Sequence, residues 1–153
     1  MKRKLIIQLV LSAAFMAVTI IFCGALEGRS VLSLLDLKGI LLGAVAPFAV
    51  TIVAFGLNDT RRAFSIPFAA VSDKAGLKAS RAFFKTLLRY IIAFTLFAFA
   101  AGMILLLSNL TKVELMGRNL AVILSSILYG SVFAIFIVIP FQSAIEQRLA
   151  KKE

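Results

Sequence analysis

Four long apolar blocks without a charge at their centres constrain this chain more than any other feature. The first runs from Leu5 to about Cys23 and the second from Gly39 to Leu57; the third lies between Arg89 and Lys112, the fourth between Arg118 and Glu146. A bilayer's hydrocarbon core takes about 20 apolar helical residues to cross, and each block is long enough. Strands of a membrane barrel alternate polar and apolar residues over about 10 positions, and these blocks do not alternate. The sequence therefore predicts an all-α integral membrane protein with four transmembrane helices, at about residues 5–25, 37–57, 87–110 and 119–145. They form a single membrane domain over 1–153, with a cytoplasmic loop at 58–86. Composition agrees: 61% of the residues are apolar and 16% charged. A soluble domain is about 45–50% apolar and about 25% charged. A chain this short leaves much of its surface wet and has no core large enough to hide the excess.

The formal net charge is +10, and its placement decides its meaning. Lys2, Arg3 and Lys4 precede the first block, seven basic residues lie between Asn58 and Arg89, and Arg148, Lys151 and Lys152 are in the tail. That places 13 basic residues on one side of the membrane and 4 on the other (Arg29, Lys38, Lys112 and Arg118). Cytoplasmic loops carry the excess of Lys and Arg, so both termini and the 58–86 loop are expected in the cytoplasm. No basic and aromatic residues interleave as a nucleic-acid surface would require, and no nucleic-acid partner is expected. The N-terminus has the outline of a secretory signal, with Cys23-Gly24-Ala25 as a small-residue site. Its apolar run is longer than a typical signal core, and an uncleaved first helix is expected.

Within the 58–86 loop, Asn58-Asp59-Thr60 is placed to cap a helix start, and Pro67 interrupts the helical stretch begun there. Lys78, Arg81, Lys85 and Arg89 then recur at spacings of 3, 4 and 4. They share one helical face, with Phe83, Phe84, Leu87 and Leu88 off it. This is the expected solvated, headgroup-facing end of the third span, with a partner surface as the sharper alternative.

The chemistry available inside the spans is sparse. There is no His, and Cys23 is the single Cys, which excludes a zinc site, a disulfide framework and a histidine-based dyad; no cofactor or metal is expected. No Asp, Glu, Lys or Arg stands at the centre of a block. Ionisable groups in a span mark ion paths, so any ion chemistry needs a carboxylate from another chain. Ser125 and Ser126, just ahead of Tyr129-Gly130, are the most prominent polar pair. A nucleophilic serine needs an activating base, and none is near in sequence, so an enzyme is not expected. Gly39 and Gly43, Ala98 and Gly102, and Gly130 and Ala134 are spaced for close helix approach. Pro47 and Pro140 are placed to kink or end their helices.

These residues carry a family resemblance. The stretch Gly102–Leu110 (GMILLLSNL), then Gly117, Ala121-Val122, Leu128-Tyr129-Gly130 and Ile139-Pro140, resembles the last two membrane helices of MotA, the flagellar stator subunit. That family also includes TolQ and ExbB. Cys23 to Gly28 resembles the glycine-rich end of its first helix. Ser33-Leu34-Leu35, leading to Gly39 and Gly43-Ala44, resembles the approach to its second. Arg61-Arg62-Ala63-Phe64 matches the basic-basic-Ala-Phe that comes after that helix. The chain also departs from the pattern. The family's Thr-Thr pair falls on Ser126 and Ile127, its Gly-Thr on Ala98 and Phe99, and the proline opening its third helix on Ile92. In the family those threonines line the ion path beside a partner's aspartate. About thirty residues (58–89) replace its large cytoplasmic domain.

The resemblance implies a bacterial inner-membrane, multi-pass subunit of an oligomeric complex driven by an ion gradient. It implies a homo-oligomeric ring in the bilayer around a single-span partner with an intramembrane Asp. Ser125 and Ser126 are then the ion-path candidates, and Phe99 and Ile127 are altered positions of a degenerate path. The alternative is a non-conducting four-helix scaffold or assembly protein unrelated to motility.

Overall fold

The computed structural model describes residues 37–69, 73–108 and 113–151, together with Ala14. Apart from Ala14, the expected span at 5–25, Cys23 and the glycine-rich stretch after it lie outside the described residues. Among the described residues the chain is helical throughout, with no strand. Helix α1 is Leu37–Phe55. A short α2, Leu57–Ser65, leads into a 3-10 turn at Ile66–Phe68. Helix α3 is Lys74–Ser108. Helix α4, Val113–Phe133, continues through a π turn at Ala134–Val138 into α5, Ile139–Ala150.

Three of these helices are long and apolar enough to cross a membrane: α1, α3, and the α4–α5 rod over Met116–Ala150. Their surfaces are apolar where a soluble protein would be polar. Val53, Leu96, Phe97, Ile104 and Leu124 are all more than half exposed. A continuous apolar surface of this kind belongs against lipid or another chain.

Pro47 and Pro140, the two prolines within the long helices, each lie just beyond a π turn. Leu41–Val45 ends two residues before Pro47, and Ala134–Val138 ends two residues before Pro140. Proline offers no N–H and its ring crowds the carbonyl four residues back. A turn widened to the π spacing relieves that crowding without ending the helix. Pro47 and Pro140 therefore do not terminate their helices: α1 runs on to Phe55 and the α4–α5 rod to Ala150.

The segment expected as a loop over 58–86 is mostly folded helix. Helix α3 begins at Lys74 rather than near 87. At 35 residues it is about 52 Å long at 1.5 Å per residue, well beyond a hydrocarbon core of about 30 Å. Its first turns stand outside the apolar segment and pack with α2 and α5. The start of α2 also differs from expectation. Its cap is Gly56, at φ 84° and ψ 159°, a left-handed backbone that glycine adopts without steric cost. Asn58, Asp59 and Thr60 fall inside the first turn instead, and the Thr60 hydroxyl donates to the Gly56 carbonyl at 2.8 Å. Asp73 caps α3, its Oδ1 accepting from the Gly76 amide at 3.2 Å.

A phenylalanine cluster joins these pieces. Phe64 of α2 meets Phe83, Phe84 and Phe141 edge-on at 5.1–5.9 Å between centroids, and Phe84 stacks on Phe141 at 5.2 Å. Phe48 and Phe55 extend the cluster to α1. Phe83, Phe84, Leu77, Leu87 and Ile145 are essentially inaccessible. The Ser80 hydroxyl, also buried, donates to the Ala63 carbonyl at 2.7 Å and ties α3 to α2.

Candidate functional site

Gly39, Gly43, Ser125, Ser126 and Gly130 converge on the seam between α1 and α4. A β-carbon built on Gly39 would stand 2.6 Å from Ser125 Cβ and 2.9 Å from Tyr129 Cδ2. One built on Gly43 would stand 2.7 Å from both the Gly130 amide nitrogen and the Ser126 carbonyl oxygen. Four-residue spacing puts Gly39 and Gly43 on one face of α1. That face lies against Ser125, Ser126, Tyr129 and Gly130, and the two helices run in the same direction. Gly130 also meets α3: its β-carbon position is 2.7 Å from Thr95 Oγ1 and 3.4 Å from Ile91 Cγ2. Three helices therefore meet at Gly130. Gly102 of α3 makes a similar close approach to Ile123 of α4, so all four packing glycines sit at helix contacts.

The hydroxyls at this seam are held by their own helices. Ser125 Oγ donates to the Ala121 carbonyl at 2.7 Å, and Ser126 Oγ to the Val122 carbonyl at 2.9 Å. Thr95 does the same to Ile91, and Thr51 to Pro47, each at 2.7 Å. This bond to the preceding turn is the usual way a lone hydroxyl is satisfied in a span. Ser126 and Thr51 are fully buried, and among the described residues no buried side-chain polar atom lacks a partner. Of the altered family positions, Phe99 is 44% exposed on α3 next to buried Ala98, and Ile127 is half-buried on α4. Ile92, the third position that the resemblance marks as altered, is 52% exposed.

Lys78, Arg81, Lys85 and Arg89 are all exposed along the first turns of α3. Arg81 is additionally paired with Glu146 of α5, Nη2 to Oε1 at 3.0 Å. Two features of this end are not conspicuous in the sequence. Arg148, expected as a solvated tail residue, is half-buried. Its Nη1 donates to the Ile66 carbonyl at 3.0 Å and the Ala69 carbonyl at 2.9 Å, pinning the end of the 3-10 turn to α5. The second is a groove of about 390 Å³ between α2 and the start of α3. A basic residue in a helix's last turn is suited to free carbonyls, but no spacing rule joins Arg148 to a segment about 80 residues away.

No family model matches the chain, and neither the curated proteins nor the solved structures compared with it contain a match.

Proposed function

We propose that the chain is a four-span, bacterial inner-membrane subunit of an oligomeric transmembrane complex of the MotA/TolQ/ExbB type, with both termini in the cytoplasm. In this reading it is a packing subunit with a degenerate ion path, and it is not an enzyme. The observation that carries the reading is the seam at Gly43 and Gly130. Ser126, which stands at the first position of the family's Thr-Thr pair, and its neighbour Ser125 are both engaged with their own helix, and Ser126 is fully buried. From Tyr90 to Ser108 and from Leu120 to Ile145 there is no Asp, Glu, Lys or Arg. Ion transfer across this chain therefore requires a carboxylate from a single-span partner, since a span without an ionisable group has nothing to carry the charge. The exposed apolar faces of α3 and α4 supply the surface on which copies associate.

The test is a subunit count by native mass spectrometry from lipid nanodiscs, with proton flux measured in vesicles. The expected result is a closed ring of several copies that passes no protons alone. A strict monomer would remove the family reading. Flux that depends on Ser126 once a partner with an intramembrane Asp is supplied would replace the degenerate path with a working one.

A further inference from the structure

The groove between α2 and α3 has the composition of a phospholipid headgroup site. It starts where the apolar α1 ends, since Phe55, the last residue of α1, lines it. Its apolar side is Phe55, Ala63 and Phe83, and its rim carries Arg62, Asp59 and Asp73. All three charged residues are exposed. Asp59 and Arg62 are three residues apart on α2, close enough to face the same way. Among the described residues Arg62 forms no ion pair with Asp59 or with Asp73. Asp73 spends one carboxylate oxygen on the Gly76 amide, which leaves the second. The volume, about 390 Å³, is within the range of about 300–1,000 Å³ typical of small-molecule sites.

A rim with both signs beside an apolar wall at the end of a span fits a zwitterionic amphiphile better than an anionic one. We propose that this groove binds the headgroup of a phosphatidylethanolamine-type lipid. The phosphate sits on the Arg62 guanidinium, the primary ammonium sits between Asp59 and Asp73, and the acyl chains leave past the half-buried Phe55. An arginine fork suits a phosphate oxygen pair, and charge-assisted hydrogen bonds of this kind are the strong ones. A primary ammonium donates three hydrogen bonds to carboxylates. A choline headgroup donates none, so the site discriminates between the two. The exposed basic face at Lys78, Lys85 and Arg89 has one sign only and would favour anionic lipid instead. The proposal rests on the chain lying in a membrane and not on its membership of a stator-type complex.

The experiment uses the full chain reconstituted in vesicles of equal phosphatidylethanolamine, phosphatidylcholine and phosphatidylglycerol, extracted gently, with retained lipid identified by mass spectrometry. Phosphatidylethanolamine is expected to be retained over phosphatidylcholine by about fivefold or more, a ratio that a single charge-assisted hydrogen bond is strong enough to produce. Arg62→Gln removes the phosphate partner, and Ala79→Leu fills the groove from the exposed side of α3; each should abolish the preference. Ala79→Ser, which keeps the groove open, should retain it and controls for folding. Asp59→Asn should lower retention of the ethanolamine lipid and leave that of phosphatidylglycerol unchanged. Equal retention of the ethanolamine and choline lipids overturns the proposal. So does a preference that survives both Arg62→Gln and Ala79→Leu. Dominant retention of phosphatidylglycerol that is lost on Lys78→Gln with Lys85→Gln also overturns it, by assigning lipid to the basic face.

Discussion

Gly43 of α1 and Gly130 of α4 approach so closely that a β-carbon on Gly43 would stand 2.7 Å from the Gly130 amide nitrogen. The obstructing atoms are backbone, which cannot rotate aside. Gly43→Ala should therefore force α1 away from α4 and cost about 1–3 kcal/mol, the usual range for overpacking. Gly117→Ala is the control, because a β-carbon there meets nothing within 4 Å. An exposed helical glycine replaced by alanine is neutral or gains up to about 1 kcal/mol. Thermal unfolding in detergent, followed by circular dichroism, compares the two. Similar transitions for both variants would mean that the seam is loosely packed.

Ser126 gives the opposite expectation for its hydroxyl. The group is buried, but it donates to Val122 in its own helix and to no other helix. That carbonyl keeps the backbone amide of Ser126 as a donor in a regular helix, so removing the hydroxyl orphans nothing. Ser126→Ala should change stability by less than about 1 kcal/mol, because this kind of bond contributes little to a helix. Ser126→Leu should disrupt the packing, since the position is fully buried and has no room for a larger side chain. A large loss on Ser126→Ala, with the complex assembling normally, would assign the hydroxyl a role outside the helix.

Much of this architecture is readable from residue types. Tyr90 to Ser108 and Leu120 to Ile145 read as spans because bilayer thickness imposes a length on any apolar run, and the helices there are long and apolar enough to cross. The glycine spacing in α1 and the run ending in Gly130 both point to close contact. Which glycine meets which serine depends on the relative register of two helices far apart in sequence, and composition does not carry that. Hydropathy makes 58–86 look like a loop because it falls at Arg89, although the helix does not end there. The spacing of Lys78, Arg81, Lys85 and Arg89 is helical, with Phe83 and Phe84 on the other face, and periodicity is the better guide to that helix's start. Gly56 in a left-handed backbone explains why α1 and α2 are separate helices, which the capping residues Asn58 to Thr60 do not. At the groove, Asp59, Arg62 and Asp73 resemble ordinary loop charges in sequence, and only the side-by-side packing of α2 and α3 brings them to one rim.

Arg148 clamps segments about 80 residues apart at the end where α2, α5 and the first turns of α3 meet. One Nη1 serves two carbonyls, of Ile66 and Ala69, at 3.0 and 2.9 Å. Arg148→Met keeps the apolar length and removes both bonds, and should cost about 1–3 kcal/mol, the range for partly buried groups that lose a charged partner. Amide exchange is the direct readout: protection should fall over Leu57–Phe68 and persist in α3. Glu146→Gln breaks the nearby bridge to Arg81 but should cost far less, because that pair is about half exposed and solvent screens it. Equal effects of the two changes would mean that Arg148 acts through its charge and not through the carbonyls.

Phe84 and Phe97 are both in α3 but have different surroundings. Phe84 is fully buried, stacked on Phe141 and edge-on to Phe64 and Phe83. Phe97 is 64% exposed on the apolar stretch of the same helix. Truncation of a buried phenylalanine costs about 3–5 kcal/mol, since contacts are lost and the cavity closes only in part. Phe84→Ala should therefore unfold the end of the molecule built by α2, α5 and the first turns of α3, because Phe64 and Phe141 both lean on that ring. Phe97→Leu leaves an apolar side chain in an apolar environment and should shift stability by less than about 1 kcal/mol. Limited proteolysis between α2 and α3, together with thermal unfolding, separates the two variants. If Phe84→Ala opened the long apolar helices before α2 and α5, the aromatic cluster would be part of the core that holds those helices together. If Phe97→Leu were as damaging as Phe84→Ala, that face of α3 would be packed against another protein chain and not against lipid.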